Sequence, residues 1–110
     1  MHKRVTFRHM DHTPVLEEFV NKQVERIEKL LVAEREPIYL DVVLEAFPNH
    51  AHHGVEIRLK TPHFDLIAHN EGAEMYQEID RTIETMIKEI KKAKDKFIED
   101  QRNQDSYKSA

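Results

Sequence analysis

The apolar residues of this 110-residue chain change their spacing twice, and this change limits the possible folds more than any other feature. Between residues 14 and 31 they recur every three or four positions, as on one face of a helix. Between residues 38 and 69 they mostly alternate with polar residues, as in strands buried on one side. After Gly72 the helical spacing returns. The chain therefore mixes strands and helices in a defined order.

Five segments and the final helix give the order of elements. Strands are predicted at residues 3–8, 38–46, 54–60 and 64–69, with a helix over 14–31 and a second helix from about Gly72. Thr13 is suited to cap the first helix, and Pro14 to occupy its first position. The first strand–helix–strand unit favours a right-handed crossover with parallel pairing. Short turns favour antiparallel pairing for the remaining strands.

Each predicted helix has a single apolar stripe, so both helices can cover the same face of the sheet and leave the other face open to water. The predicted fold class is α+β, with the order β-α-β-β-β-α and a four-stranded mixed sheet. The predicted stripe of the second helix is Tyr76, Ile79, Ile83, Met86, Ile87, Ile90 and Phe97.

The length suits a single domain with one modest core. We expect this domain to span residues 1–98, and we expect residues 99–110, which lack apolar periodicity, to form a disordered tail. The chain contains no cysteine, which excludes disulfides and thiolate chemistry. No stretch approaches the roughly 20 apolar residues of a membrane helix, and we expect a cytoplasmic protein.

Positive charge is concentrated in KEIKKAKDKF, residues 88–97, although the formal net charge of the chain is -4. Residues 81–97 carry six basic and three acidic side chains, whereas residues 37–80 carry two basic and eight acidic ones. A ridge of cations along an exposed helix is suited to a phosphate backbone, because each contact releases condensed counterions. The alternative is a solvated face, in which lysines favour the helix dipole and pair locally, for example Glu84 with Lys88.

Helical geometry refines this ridge. Arg81, Lys88 and Lys92 point almost opposite the apolar stripe, and Lys91 and Lys96 flank them. Lys94 lies near the apolar edge, where its aliphatic stem could pack while the ammonium reaches solvent.

Eight histidines raise two further possibilities. The turn NHAHHG places His50, His52 and His53 together, and these could be surface residues, contribute to an RNA-facing turn, or hold a zinc or nickel ion. Their charge would depend on pH near 6 to 7. His9 and His12, near Asp11, could suggest acid–base chemistry, but no nucleophile or glycine-rich phosphate loop accompanies them. We therefore expect a protein that is not an enzyme and needs no cofactor.

Two stretches carry a resemblance to a known family. FRHMDHTPVLEEFVNKQVERIEKL has a T-x-x-L-x-x-[FY]-[VI] helix start at Thr13, and AHNEGAEMYQEIDRTIETMIKEIKKAKDK has E-M-Y-x-x-I-D from Glu74, followed by a basic helix. Over residues 3–97 the sequence resembles the ribosome hibernation promoting factor and ribosome-associated translation inhibitor family, in its short form.

This resemblance implies a fold similar to double-stranded-RNA-binding domains. It also implies binding to ribosomal RNA of the small ribosomal subunit between head and body, near the decoding centre. There the protein would block the tRNA and mRNA sites and preserve idle ribosomes under stress and in stationary phase. The binding residues implied by position are Arg8, Arg81, Lys88, Lys91, Lys92, Lys94 and Lys96, with Met75 near the RNA and Tyr76 in the core.

Thr85 departs from the family, which usually has a basic residue there, and Arg81 lies on the same helix face. The resemblance further implies a free monomer that acts without a membrane or a small-molecule substrate, and it allows a second hibernation factor as a further partner. Whether it promotes ribosome dimers or keeps ribosomes single stays open. The alternative from another class is a protein–protein adaptor that uses the open face of the sheet.

Overall fold

The computed structural model describes residues 1–47, 49 and 51–108, with the backbone alone for residues 102–108. Its elements follow the predicted β-α-β-β-β-α order, which confirms the α+β fold class. The strands and helices are β1 (His2–Arg8), α1 (Pro14–Glu28), a 3₁₀ turn (Lys29–Leu31), β2 (Tyr39–Phe47), β3 (His52–Lys60), β4 (Asp65–Gly72) and α2 (Met75–Lys108).

The four strands form one sheet in the order β1-β2-β3-β4. β1 pairs with β2 in parallel, and Val5 lies beside Val42. The other two pairs are antiparallel. This is the arrangement that a helical crossover followed by two short turns was predicted to give.

The core lies between the sheet and the two helices. α1 contributes the stripe that includes Val20, Val24 and Ile27, all at most 2% exposed. α2 contributes Ile79, Ile83, Met86 and Ile90, none of which is exposed, and the strands contribute Leu40, Val42, Leu44, Val55, Ile57 and Leu59. Because the buried strand residues alternate along each strand, the opposite face of the sheet is left uncovered.

The structure decides which residues of β4 point inward. Ala68 is buried and Leu66 packs against the core, whereas Ile67, between them, is 53% exposed. The adjacent apolar pair in this strand is therefore split between the two faces of the sheet.

The start of α2 corrects one sequence expectation. Met75, expected at the surface near RNA, is only 7% exposed, and Tyr76, expected in the core, is 46% exposed. Tyr76 lies on the side of α2 that faces α1, where its ring meets the Phe19 ring edge to face at 4.8 Å. The helix begins at Met75, so the first turn packs Met75 against the sheet and leaves one side of Tyr76 in solvent.

The other end of α2 extends past the predicted domain boundary, because the helix continues to Lys108. Phe97 and Ile98, near this boundary, are 39% and 50% exposed. The centre of the His63 ring, in the β3–β4 turn, lies 4.7 Å from that of the Phe97 ring. Through this contact Phe97 of α2 packs against the sheet end of the domain. The division into a domain over residues 1–98 and a tail over 99–110 stays a prediction.

The connection from α1 to β2 is held by Glu36. Its carboxylate accepts hydrogen bonds from the Met1 ammonium at 3.1 Å and from the backbone N–H of Ile38 at 2.9 Å. Both bonds favour the ionised form, so they lower the pKa of Glu36, the bond from the ammonium most.

Candidate nucleic-acid interface

Four lysines form an exposed row on the outer surface of α2. Lys88, Lys92 and Lys96 follow one another at steps of four residues, so they lie along one side of the helix, and Lys91 lies beside them. On the opposite side of the helix, Ile83 and Ile90 are fully buried against the sheet. We call these four lysines the lysine ridge. Burial of the apolar stripe fixes the direction in which the ridge points.

Within the described part of the chain, no carboxylate lies within 4.0 Å of any ridge ammonium. The expected local partner Glu84 instead lies 4.0 Å from the guanidinium of Arg26 on α1. Arg26 also binds Asp80 at 3.1 Å. Arg26 of α1 thus pairs with two acids of α2 that could otherwise have paired with lysines. The alternative of a solvated face with local pairing therefore loses the pair of Glu84 with Lys88.

Several other cations of the protein are paired with carboxylates. Lys3 binds Glu28 at 2.6 Å, and Arg4 binds Asp41 through two nitrogens at 3.2 and 3.3 Å. An arginine or lysine that is already bound to a carboxylate must give up that partner before it can bind a phosphate. The ridge therefore differs from these sites in chemistry as well as in position.

Lys94 does not belong to the ridge. Its side chain is half-buried, and its ammonium donates a hydrogen bond to the backbone carbonyl of Leu30, in the 3₁₀ turn after α1. The last carbonyls of a helix lack partners within the helix, and a lysine that reaches them stabilises the helix end. The expected position near the apolar edge is confirmed, and the role that the geometry supports is structural.

Arg81 lies about two turns before Lys88, the first residue of the ridge, and Thr85 about one turn before it. Arg81 is exposed, but its guanidinium lies 3.4 Å from the carboxylate of Glu78, which is only 2% exposed. Thr85 donates a hydrogen bond to the carbonyl of Arg81 at 2.9 Å and accepts one from Asn70 of β4 at 3.4 Å. The threonine thus joins the helix to the sheet, where a longer basic side chain would point outward.

Arg8 lies on another surface altogether. It alternates along β1 with Phe7, which packs against the core, so Arg8 points to the open face of the sheet. There it lines a small cleft with Glu45, Glu56 and His69. The structure therefore separates Arg8 from the lysine ridge by the thickness of the sheet and the helix layer, although sequence reasoning grouped them.

The open face also carries histidine–carboxylate contacts that sequence reasoning missed. His52 and His69 lie 3.2 and 3.4 Å from the carboxylate of Glu71, and His9 lies 3.7 Å from that of Glu45. His69 and Glu71 are two residues apart on β4 and so share a face, but His52 and the pair of His9 with Glu45 come from other strands and turns, and no spacing along the chain indicates that these meet.

The two described histidines of the predicted histidine turn, His52 and His53, lie on opposite sides of the sheet. His53 is on the helix side of the sheet, and its Nδ1 atom is buried without a hydrogen-bond partner, while His52 is on the open side. His50 lies outside the described residues. Among the residues that the structure describes, no group of three or more histidine, aspartate and glutamate side chains is arranged to hold a metal ion.

Comparison with known proteins identifies the family of the chain. Residues 4–98 match the sequence pattern of the family described as "Sigma 54 modulation protein / S30EA ribosomal protein". The chain belongs to this family. No curated protein sequence matches it.

Two solved structures are similar in fold. The N-terminal domain of Protein Y from Thermus thermophilus has a TM-score of 0.69 and 22% identity, covering 84% of this chain and 98% of that one. A ribosomal subunit interface protein from Coxiella burnetii has a TM-score of 0.70 and 20% identity, covering 86% of this chain and 98% of that one. None of the described helices has the combined length and apolarity that crossing a membrane requires.

Proposed function

We propose that this protein binds the small ribosomal subunit near the decoding centre and blocks the tRNA and mRNA sites, so that idle ribosomes stay inactive. The lysine ridge carries this proposal: four exposed lysines on one helix, none with a carboxylate within 4.0 Å among the described residues, in a protein from a ribosome-associated family. The family match and the likeness to a ribosomal subunit interface protein support the ribosome as partner.

The mechanism is electrostatic docking followed by steric exclusion. The ridge binds phosphates of ribosomal RNA, and the helix and sheet behind it fill space that tRNA or mRNA would need. Contacts of this kind position a protein on RNA by shape and charge and read little base sequence. They are also reversible, because added salt competes with them. No bond is made or broken, so the protein acts as a binding factor and not as an enzyme.

The residues in this proposal differ from those expected from sequence. Lys88, Lys91, Lys92 and Lys96 form the primary contact, and Arg81 can join them once it leaves Glu78. Lys94 and Met75 are left out, because one binds a backbone carbonyl and the other is buried. We further propose that the protein is a monomer when free, works in the cytoplasm under stress and in stationary phase, and can cooperate with a second hibernation factor.

Co-sedimentation with purified small ribosomal subunits tests the proposal. Four phosphate contacts predict that affinity falls by roughly 50-fold or more when monovalent salt rises from about 50 mM to about 200 mM. The variant Lys88→Glu/Lys92→Glu should lose most binding at the lower salt. The matched control Lys60→Glu/Arg35→Glu makes the same change in net charge at exposed positions away from the ridge and should retain it.

Circular dichroism of each variant checks that the fold is unchanged. Wild-type protein that fails to bind subunits even at low salt would contradict the proposal. Equal losses in the ridge variant and the control would mean that net charge alone, and not the ridge, governs binding. Binding that salt does not weaken would favour the protein–protein adaptor instead.

A further inference from the structure

The open face of the sheet carries a cluster of histidines and glutamates at the end where β1 finishes. Ring nitrogens of His52 and His69 lie 3.2 and 3.4 Å from the carboxylate of Glu71. A ring nitrogen of His9 lies 3.7 Å from the carboxylate of Glu45. We call these five residues the histidine patch. His9 has a left-handed backbone conformation, with φ of 56°, in the turn directly after β1.

Strand register explains why these side chains share one surface. Arg8, Glu45, Gly54 and Glu71 lie side by side in one row across the four strands. Between the two glutamates Gly54 has no side chain, and the ring of Phe47 lies over it. Beside this ring is a cleft of about 80 Å³ whose walls include Arg8, Glu56 and His69. Charges on the rim of this cleft are close enough to act on the same ligand.

The net charge of this surface changes sign with protonation. Two arginines and three glutamates supply the charges of this surface that do not depend on histidine: Arg8, Arg58, Glu45, Glu56 and Glu71. Arg58 is included because it lies 3.5 Å from Glu56. With neutral histidines, two arginines and three glutamates leave one net negative charge. Protonation of the three histidines turns this into two net positive charges. The neighbouring pair of Arg4 and Asp41 is balanced and adds nothing.

We propose that the histidine patch, together with Arg8, is a second RNA-binding surface that becomes effective only when the histidines are protonated. Histidine is the side chain that ordinarily changes its charge between pH 5 and 8. Arg8 is exposed and has no carboxylate partner within 4.0 Å among the described residues. At neutral pH the three glutamates repel phosphates from Arg8, and protonated histidines cancel that repulsion. The proposal rests on the function proposed above and adds regulation by pH to it.

The arrangement also changes which histidines matter. The predicted turn contributes only His52, because His53 is on the helix side of the sheet and His50 lies outside the described residues. His9 and His69 come from the end of β1 and from β4. A pH effect is therefore expected from His9, His52 and His69 and not from the turn as a unit.

Binding measured at two pH values and constant ionic strength tests the proposal. The probes are purified small ribosomal subunits and a short A-form RNA duplex, each at about pH 7.5 and about pH 6. We expect wild-type protein to bind the duplex about fivefold more tightly at the lower pH, because the added positive charges supply further phosphate contacts. The variant His9→Gln/His52→Gln/His69→Gln should keep the affinity at the higher pH and lose the gain.

His63→Gln is the matched control. His63 also lies 3.2 Å from a glutamate, Glu34, but at the opposite end of the sheet, so this variant should keep the gain. Wild-type affinity for the duplex that is unchanged or weaker at the lower pH would overturn the proposal. So would a triple variant that retains the gain. Failure to bind subunits at both pH values would overturn the proposed function, and the duplex would still decide the role of the patch.

Discussion

Gly72 lies where β4 ends before α2, and the carboxylate of Glu78 fills the space in which a Cβ atom of residue 72 would stand. Glu78 is 2% exposed, so it cannot swing into solvent without uncovering the first turn of α2. Neither glycine of the chain has a positive φ. The need for glycine here is therefore one of space and not of backbone conformation.

This close approach gives a prediction about stability. Gly72→Ala should lower the free energy of unfolding by about 1–3 kcal/mol, the usual cost of overpacking a filled site. In a Glu78→Ala background the same substitution should cost much less, because the atoms it meets are gone. Urea unfolding of the four proteins measures the difference. An equal cost in both backgrounds would mean that the contact is not the cause.

Gly54→Ala is the control. Its Cβ would meet the Phe47 ring at 3.1 Å, and that ring is only partly buried, so it can move aside. We expect a smaller loss of stability than at Gly72.

The lysines of α2 perform two different tasks, although they look alike in the sequence. Lys91 is exposed and has no carboxylate within 4.0 Å in the described part of the chain, whereas Lys94 binds the carbonyl of Leu30 in the 3₁₀ turn after α1. One is available to a ligand, and the other joins the two helices. In the proposed function, the helix therefore contributes to binding and to stability through neighbouring side chains of the same type.

Substitution of each lysine by glutamine separates the two tasks. Lys94→Gln should reduce the free energy of unfolding by about 1 kcal/mol, since it weakens one hydrogen bond. It should leave subunit binding almost unchanged. Lys91→Gln should do the reverse, with reduced binding and unaltered stability. Chemical denaturation and co-sedimentation, applied to both variants, check this. Similar losses of binding in both would place Lys94 in the RNA contact after all.

Secondary structure could be predicted from sequence because each element follows one period. Val42 and Ile57 are buried as their alternation requires, and Ile79, Ile83 and Ile90 as helical spacing requires. The sequence could not predict which of Met75 and Tyr76 is buried, since both lie on the apolar side of the helix. The neighbours of the first turn decide which of them is covered.

Contacts between elements were beyond sequence reasoning for a different reason. Arg26 and Asp80 are 54 residues apart, and the pairing of Glu84 with Lys88 looked equally good along one helix. Only the packing of α1 beside α2 decides between them. The sequence could thus predict which residues form the lysine ridge. It could not predict that, among the described residues, no carboxylate lies within 4.0 Å of them. The histidine patch needed the strand register as well.

The molecule as a whole has two chemically different surfaces. The helix side presents unpaired cations, whereas the open face presents charges that largely neutralise one another, such as Arg4 with Asp41. The open face also exposes Tyr39 and Ile67, at 47% and 53%. A polyanion should prefer the first surface at neutral pH, and a protein partner would use the second.

Substitution on the open face therefore distinguishes an RNA-binding protein from an adaptor. Tyr39→Asp/Ile67→Asp should leave subunit binding at about pH 7.5 and its salt dependence unchanged, because neither side chain lies on the ridge. Lys92→Gln, in contrast, should reduce the steepness of log affinity against log salt by about 0.7–0.9, the contribution of one phosphate contact. Co-sedimentation over a salt series measures both. If the open-face variant lost binding while the slope of Lys92→Gln stayed at the wild-type value, the sheet would be the contact surface, because only the surface that binds phosphate contributes to the slope.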